Sequence, residues 1–164
     1  MFKKNSVSSI LKRAKRKRRK LLSDDLDNIL FLDFDGVLNL DADNYGEKPF
    51  NSSCVENVNR LCRAYSLKIV VISSWKKYAL YEEILRMSGL DPDIVILGKT
   101  DTLGKDREAE IKQYLSEHIY IDRFLILDDG VFDELTPYHV QTSFTEGFTD
   151  EKYREAVRIL ENQS

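Results

Sequence analysis

Three short polar clusters along the chain carry the groups that are able to do chemistry. The first is Asp33-Phe34-Asp35-Gly36, in which two carboxylates lie two positions apart directly after an apolar run. Like charges at this spacing repel each other and lose hydration on burial, so the pair requires a bound cation or a retained proton. The first cluster is therefore a predicted reactive or metal-binding site.

The other two clusters also follow apolar runs that are typical of buried strands. Ser73 and Ser74 follow the run 67–72, and Asp128 and Asp129 follow the run 123–127. Hydroxyl and carboxylate oxygens are ligands of hard cations, and partly hydrated Mg²⁺ fits such a set best. If the fold brings the three clusters together, they form a magnesium site that also attracts phosphate.

The elements between the clusters alternate between strands and helices. Helices are predicted near 53–65, 76–88 and 105–117 and after Thr149, and strands at 29–34, 67–72, 93–97, 123–127 and 138–141. This alternation predicts an α/β fold with three layers, a Rossmann-like parallel five-stranded sheet in the order 3-2-1-4-5. In that order the carboxyl ends of strands 1, 2 and 4 lie side by side, and ligands bind at that edge.

Four motifs in this order resemble the haloacid dehalogenase (HAD) superfamily of phosphohydrolases. That family shows Asp-x-Asp-Gly after strand 1, Ser or Thr after strand 2, a Lys or Arg that opens the helix before strand 4, and paired acids after strand 4. The corresponding residues here are Asp33, Asp35, Ser73, Lys105, Asp128 and Asp129. The resemblance covers roughly residues 28–142 and implies a Mg²⁺-dependent phosphatase.

The resemblance implies distinct roles for the four acids. Asp33 would be the nucleophile that forms an aspartyl-phosphate, and Asp35 would protonate the leaving oxygen and then activate water. The metal ligands would be the Asp33 carboxylate, the Asp35 backbone carbonyl and Asp129, with Asp128 acting less directly.

Phosphate oxygens would be held by Ser73 and by one basic residue. Lys105 and Arg107 both fit the start of the helix before strand 4, and we favour Lys105. Trp75 is interpreted as a packing residue, with stacking on a substrate as the alternative. Lys76 and Lys77 are interpreted as solvated residues at a helix start, with contact to an anionic substrate as the alternative. Supporting roles around the phosphate and the metal are predicted for Asn39, Ser74 and Asp133.

Little sequence is left for the cap domain that selects substrates in the HAD superfamily. The segment between Asn39 and the second strand is short, which leaves at most a small flap at Leu40–Phe50. A capless, open site implies a large substrate, either a nucleic-acid 3′ end or a phosphoprotein. The Ser74-Trp75-Lys76 context and the short body also resemble, less specifically, the HAD-like domains of RNA-repair proteins.

The charge distribution divides the chain into two parts. Residues 1–20 hold ten of the 25 basic residues and none of the 28 acidic ones. We predict a basic, flexible arm over residues 1–26, disordered or loosely helical over residues 1–22, and a HAD-like domain over residues 27–164. Such an arm is suited to nucleic-acid phosphates. A targeting signal, an anionic membrane surface and the acidic body of the chain itself remain alternative partners.

Other features of the sequence concern location and the main alternative function. No apolar run approaches the roughly 20 residues of a membrane span, and Cys54 and Cys62 are predicted to be reduced thiols, so we expect a cytoplasmic protein. The alternative is a catalytically idle HAD-fold binding module that the arm tethers to nucleic acid or membrane.

Overall fold

The computed structural model describes residues 6–13, 26–40, 50–104 and 106–163. Its centre is one parallel five-stranded sheet in the order β3-β2-β1-β4-β5, which confirms the predicted topology. The strands are β1 (Asp27–Leu32), β2 (Leu67–Val71), β3 (Ile96–Lys99), β4 (Ile121–Asp128) and β5 (His139–Gln141).

Helices cover both faces of the sheet and complete the three layers. They are α1 (Ser52–Tyr65), α2 (Tyr81–Met87), α3 (Arg107–Glu117) and α4 (Asp150–Glu161), with short 3₁₀ helices at Ser74–Lys77 and Thr136–Tyr138. Helices α1, α2 and α4 contribute to one core cluster, whereas α3 packs in the cluster on the opposite face. Within the described ranges, no helix is long and apolar enough to cross a membrane.

Strand β1 is buried on both faces, as its unbroken apolar run predicts. Leu30 and Leu32 point into one core cluster, and Ile29 and Phe31 point into the other. Leu32 pairs with Val71 of β2 and with Leu127 of β4. The residues that follow these three strand ends are therefore neighbours at the carboxyl edge of the sheet.

The ends of the flanking helices follow from ordinary capping chemistry. The Asn51 side chain accepts a hydrogen bond from the Cys54 backbone N–H at the start of α1, and Ser66 ends that helix with φ of 52°. Thr149 caps α4, where Asp150 lies in the first turn. Oxygen-bearing caps satisfy the unpaired N–H groups of a helix, and acids there interact favourably with its dipole. Both cysteines of α1 are buried and take part in no disulfide within the described residues.

Two sequence predictions of element boundaries are wrong. The helix expected over 76–88 is divided into the 3₁₀ helix and α2, because Tyr78 is extended (φ −86°, ψ 137°). The third strand begins at Ile96 rather than 93, because the Ile94 backbone N–H donates to the Asp91 carbonyl in a turn. The strand then continues through Gly98 and Lys99, which lack an apolar signal.

Part of the predicted arm is folded. Residues 7–13 are helical, and Val7 and Ile10 are only 5% and 8% exposed because they join the core cluster on the α3 side. Of the two states expected for this part of the arm, the structure shows the helical one over residues 7–13, whose apolar residues recur at helical spacing. The rest of the arm (residues 1–5 and 14–25) and flap residues 41–49 lie outside the described residues, and the domain boundary stays a prediction.

Candidate active site

Asp33 occupies the centre of the carboxyl edge. Its backbone N–H donates to the Leu127 carbonyl at 3.0 Å, which extends the pairing of β1 with β4 by one residue. The Oδ1 atom accepts the Phe34 backbone N–H at 2.8 Å, and Oδ2 accepts from Arg107 Nη1 at 3.0 Å. The side chain is almost fully buried, so its carboxylate has lost most of its water.

The two acids at the end of β4 lie beside Asp33. Asp128 is buried, with Oδ1 accepting the Gly130 backbone N–H at 2.7 Å and Oδ2 accepting from Arg107 at 2.6 Å. Asp33, Asp128 and Asp129 each offer a carboxylate oxygen, and these oxygens lie within 4.8 Å of one another. We call these three residues the acid cluster.

The acid cluster is electrostatically unfavourable without a positive charge. Burial, together with the charge of Asp128, raises the pKa of Asp33 to about 7, although Arg107 and the Phe34 N–H act in the opposite direction. Burial and Asp128 also raise the pKa of Asp129. An all-oxygen donor set whose ionised form needs a cation fits Mg²⁺. The acid cluster is therefore suited to hold the metal predicted from sequence.

A glycine turn brings the backbone after β1 against the acid cluster. Gly36 has φ of 74°, and a Cβ atom there would lie 2.6 Å from Asp129 Oδ2. Only glycine combines this conformation with such a close approach. The Gly36 carbonyl accepts from Thr142 Oγ1 at 2.6 Å, and the Val37 carbonyl accepts from the Phe148 N–H at 2.9 Å. A loop after β5 thus holds the turn.

Asp35 has a different environment from Asp33. Both of its carboxylate oxygens lie 3.1 Å from the donating Nε1 of Trp75, and Oδ1 also accepts from Asn39 Nδ2 at 2.9 Å. Trp75 packs as predicted, with its ring 5.6 Å from that of Phe50, but its indole N–H also orients Asp35. The sequence did not indicate this contact, because an indole donor has no characteristic spacing to its acceptor.

The residues after β2 close another side of the site. The Ile72 N–H donates to the Leu32 carbonyl at 3.0 Å, which brings Ser73 to the same edge as Asp33. Ser73 is fully buried and caps the 3₁₀ helix, its Oγ accepting the Trp75 N–H at 3.3 Å. Ser74 is exposed at the mouth of the site.

The basic side chain that the structure brings to the acids is Arg107. Its guanidinium bridges Asp33 and Asp128 from the first residue of α3. Burial lowers the pKa of Arg107, but the two carboxylates outweigh this effect and raise it. Lys105, which the sequence favoured, lies outside the described residues, so the geometry supports Arg107 and leaves Lys105 a prediction.

Lys76 was interpreted as a solvated residue, and this interpretation is wrong. Its Nζ donates to Glu110 Oε2 at 2.6 Å and to Thr100 Oγ1 at 3.0 Å, and the side chains of both Lys76 and Glu110 are 6% exposed. Glu110 Oε1 also accepts the Leu103 N–H at 3.0 Å. This buried ion pair connects the helix that carries Arg107 to the segment that carries Ser73.

Two of the predicted acids lie apart from the acid cluster. Among the residues that the structure describes, the group of oxygens within 4.8 Å includes neither Asp35 nor Asp133. Asp133 is exposed, and its backbone N–H donates to Glu108 Oε2 at 2.7 Å. The proposed participation of the Asp35 carbonyl and of Asp133 in metal binding therefore stays a prediction.

Comparison with known families gives one match. The family model described as the HAD domain in Swiss Army Knife RNA repair proteins matches residues 29–153, which include every candidate site residue named above. Neither the curated proteins nor the solved structures give a match.

Proposed function

The chain belongs to the family of HAD domains in Swiss Army Knife RNA repair proteins, and from this membership we propose that it is a Mg²⁺-dependent phosphomonoesterase acting on nucleic-acid ends. The observation that carries the proposal is the contrast between two neighbouring carboxylates. Asp33 lies in the acid cluster against Arg107, whereas Asp35 is held apart by Trp75 and Asn39. Different environments are what allow one carboxylate to act as a nucleophile and another as an acid and base.

The acid cluster would hold Mg²⁺ through Asp33 and Asp129, with Asp128 beside them and the Asp35 backbone carbonyl as a further ligand. Bound Mg²⁺ would neutralise the acid cluster and stabilise negative charge on phosphate. Arg107 and Ser73 would bind the remaining phosphate oxygens and so stabilise the transferring phosphoryl group.

The chemistry divides into two steps. In the first, an Asp33 oxygen forms a bond to phosphorus while the bond to the leaving oxygen breaks, and Asp35 gives that oxygen a proton. In the second, Asp35 takes a proton from the attacking water, the bond between Asp33 and phosphorus breaks, and inorganic phosphate is released. The indole N–H of Trp75 and the amide of Asn39 keep Asp35 oriented in both steps.

The RNA-repair family favours a nucleic-acid end over a phosphoprotein as substrate. The basic residues within positions 1–20 are proposed to add contacts with the phosphate backbone. The cytoplasmic location expected from the cysteines stays a prediction.

The test compares phosphate release from RNA and DNA oligonucleotides with 3′ or 5′ phosphates and from a phosphoserine peptide, with Mg²⁺ or with EDTA. We expect metal-dependent release from a nucleic-acid end that Asp33→Asn abolishes. Asp93→Asn is the matched control, because Asp93 is an exposed acid in the loop before β3. No release from any substrate would support the idle binding module instead, and release from the peptide alone would change the substrate class.

A further inference from the structure

An open cavity of about 710 Å³ lies beside Asp35, and none of the three residues of the acid cluster lines it. Its walls include Asp35, Ser74, Trp75, Tyr78, Leu80 and Ile84. Asp35 belongs both to this cavity and to the proposed reaction centre. A single ligand would therefore be able to occupy the cavity and place its phosphate at Asp33.

We propose that this cavity binds the nucleobase of the phosphorylated terminal nucleotide, an inference that rests on the proposed function. The proposed general acid must face the oxygen of the leaving alcohol. The cavity that Asp35 lines is consequently where the leaving alcohol lies, and for a nucleic-acid end that alcohol is a nucleoside.

The walls have the chemistry that a nucleobase requires. Tyr78 and Leu80 are 53% and 61% exposed, so an aromatic ring and an aliphatic side chain are both accessible in the cavity. The rings of Trp75 and Tyr78 meet edge to face, with centroids 6.0 Å apart, and Tyr78 keeps about half of its surface accessible to a ligand. Aromatic side chains stack on any base, which gives affinity with little sequence preference.

A cation at the rim complements the charge of a polynucleotide. Lys77 also lines the cavity, and its Nζ lies 5.3 Å from the centre of the Tyr78 ring. A nucleotide that stacks on Tyr78 would place its neighbouring phosphodiester within reach of this ammonium group. A phosphoserine peptide has a small aliphatic leaving group, which makes no use of aromatic walls.

The break between the 3₁₀ helix and α2 gives these residues their exposure. Tyr78 is extended, and the chain resumes a helix only at Tyr81. The side chains of Trp75 and Lys76 are held by hydrogen bonds to Asp35 and Glu110, respectively. Residues 78–80 are therefore exposed to solvent, while the two residues before Lys77 are held in place by hydrogen bonds. This combination suits a surface that binds a ligand.

The test measures equilibrium binding in Mg²⁺ to the full-length Asp33→Asn protein, which isolates binding from turnover. One probe is a single-stranded RNA with a 3′-phosphorylated terminal nucleotide, and the other carries a phosphorylated tetrahydrofuran spacer at that position. We expect Tyr78→Ala to weaken binding of the first probe roughly tenfold, as loss of one stacked base should. The preference for the first probe over the second should largely disappear.

Two variants control for the loss of a surface ring. Tyr78→Phe keeps the stacking face and should keep the preference for the base-bearing probe. Tyr120→Ala removes another exposed tyrosine, which precedes β4 at the opposite edge of the sheet, and should change neither probe. Leu80→Ala provides a second variant within the cavity, with a smaller effect in the same direction.

The outcomes separate this inference from the proposed function. Equal effects of Tyr78→Ala on both probes, no effect, or no binding of either probe would overturn the base site, even if the wild type hydrolyses RNA ends. A base-dependent effect in a protein that hydrolyses nothing would retain the base site and reject the phosphatase. Binding of a phosphoserine peptide that depends equally on Tyr78 would replace the nucleobase as occupant.

Discussion

Asp33 and Asp35 are two positions apart in the chain, yet their side chains meet different partners. Asp33 is buried against two carboxylates and a guanidinium, whereas Asp35 is fixed by an indole and an amide. Residues two apart in a continuous strand point to the same face, but β1 ends at Leu32 and the backbone turns at Gly36, which allows the two side chains to meet different partners. The difference between the two environments therefore originates in local backbone geometry.

The raised pKa of Asp33 predicts a pH dependence of stability in the metal-free protein. Its pKa is about 7 in the folded protein, against 3.8 for an ordinary aspartate, so folding favours the neutral form. The resulting stabilisation is complete below the unfolded pKa and is lost as pH rises through about 7. In EDTA we expect the melting temperature to fall by about 5 °C between pH 5 and pH 8.

Asp33→Asn is the control for this prediction, because its amide does not titrate. The variant should have a flatter pH profile, and Mg²⁺ should raise the melting temperature of the wild type at pH 8 more than that of the variant. Parallel pH profiles for the two proteins in EDTA would show that Asp33 is not the titrating group.

The indole of Trp75 predicts a leaving-group effect. Trp75→Phe keeps an aromatic ring but removes the donor to Asp35, so proton transfer to the leaving oxygen should become less efficient. We expect kcat/KM for an alkyl phosphate to fall roughly tenfold or more. The value for p-nitrophenyl phosphate should fall less, because its leaving group needs no proton. An equal loss for both substrates would indicate general damage to the site.

The sequence predicted the acids better than it predicted their partners. Asp33, Asp128 and Asp129 end apolar strands, and strand order alone brings such ends together. Trp75 was missed as an orienting group because its contact with Asp35 depends on the bend after Ser73. Lys105 and Arg107 are two positions apart and both fit the predicted start of the helix, so the sequence alone could not show that Arg107 contacts Asp33 and Asp128.

At the scale of elements, the Lys76–Glu110 ion pair fixes α3 to the segment after β2. Both side chains are buried, so removing one partner leaves an uncompensated charge in the core. Lys76→Met should lower the free energy of unfolding by about 3 kcal/mol. The double variant Lys76→Met/Glu110→Gln should regain much of this free energy, because no unpaired charge is left in the core. The Gln amide oxygen would still accept the Leu103 N–H.

Chemical denaturation provides the measurement, and Lys112→Met is the matched control. The Lys112–Glu134 pair has a similar N–O distance of 3.0 Å but is much more exposed. Exposed ion pairs contribute little to stability, so Lys112→Met should lower the free energy of unfolding by less than about 1 kcal/mol. Equal losses of unfolding free energy in Lys76→Met and Lys112→Met would contradict the larger stabilising role assigned to the buried pair.

Element boundaries were harder to predict than element order. Alternating apolar and amphipathic segments give the order of strands and helices directly. The break at Tyr78 has no glycine or proline to announce it, and it arises because Trp75 and Lys76 are drawn to Asp35 and Glu110. These are tertiary contacts between residues far apart in the chain, which local periodicity does not contain.

At the scale of the whole molecule, the basic N-terminal stretch combines a packed helix with a charged continuation. Val7 and Ile10 belong to the core, whereas Lys12 and Arg13 are exposed. Deleting residues 1–20 would therefore remove both core packing and charge. A clean test replaces only the six basic residues at positions 15–20 with glutamine.

We expect this charge variant to keep the wild-type melting temperature and to bind single-stranded RNA more weakly. The dependence of log Kd on log salt concentration should become shallower, because fewer counterions are released on binding. Val7→Ala/Ile10→Ala should show the opposite pattern, a lower melting temperature with an unchanged salt dependence. An unchanged salt dependence in the charge variant would show that the arm does not contact RNA.

The hydrogen bonds from Thr142 and Phe148 to the turn after β1 have a consequence for biosynthesis. Gly36 precedes Thr142 of its supporting loop, residues 142–148, by 106 residues, so a nascent chain contains the turn long before it contains the loop. A nascent chain that already holds the four strands β1 to β4 still lacks the contacts that fix this turn. The turn that follows Asp33 and Asp35 should therefore reach its final geometry only after residues 142–148 have been made.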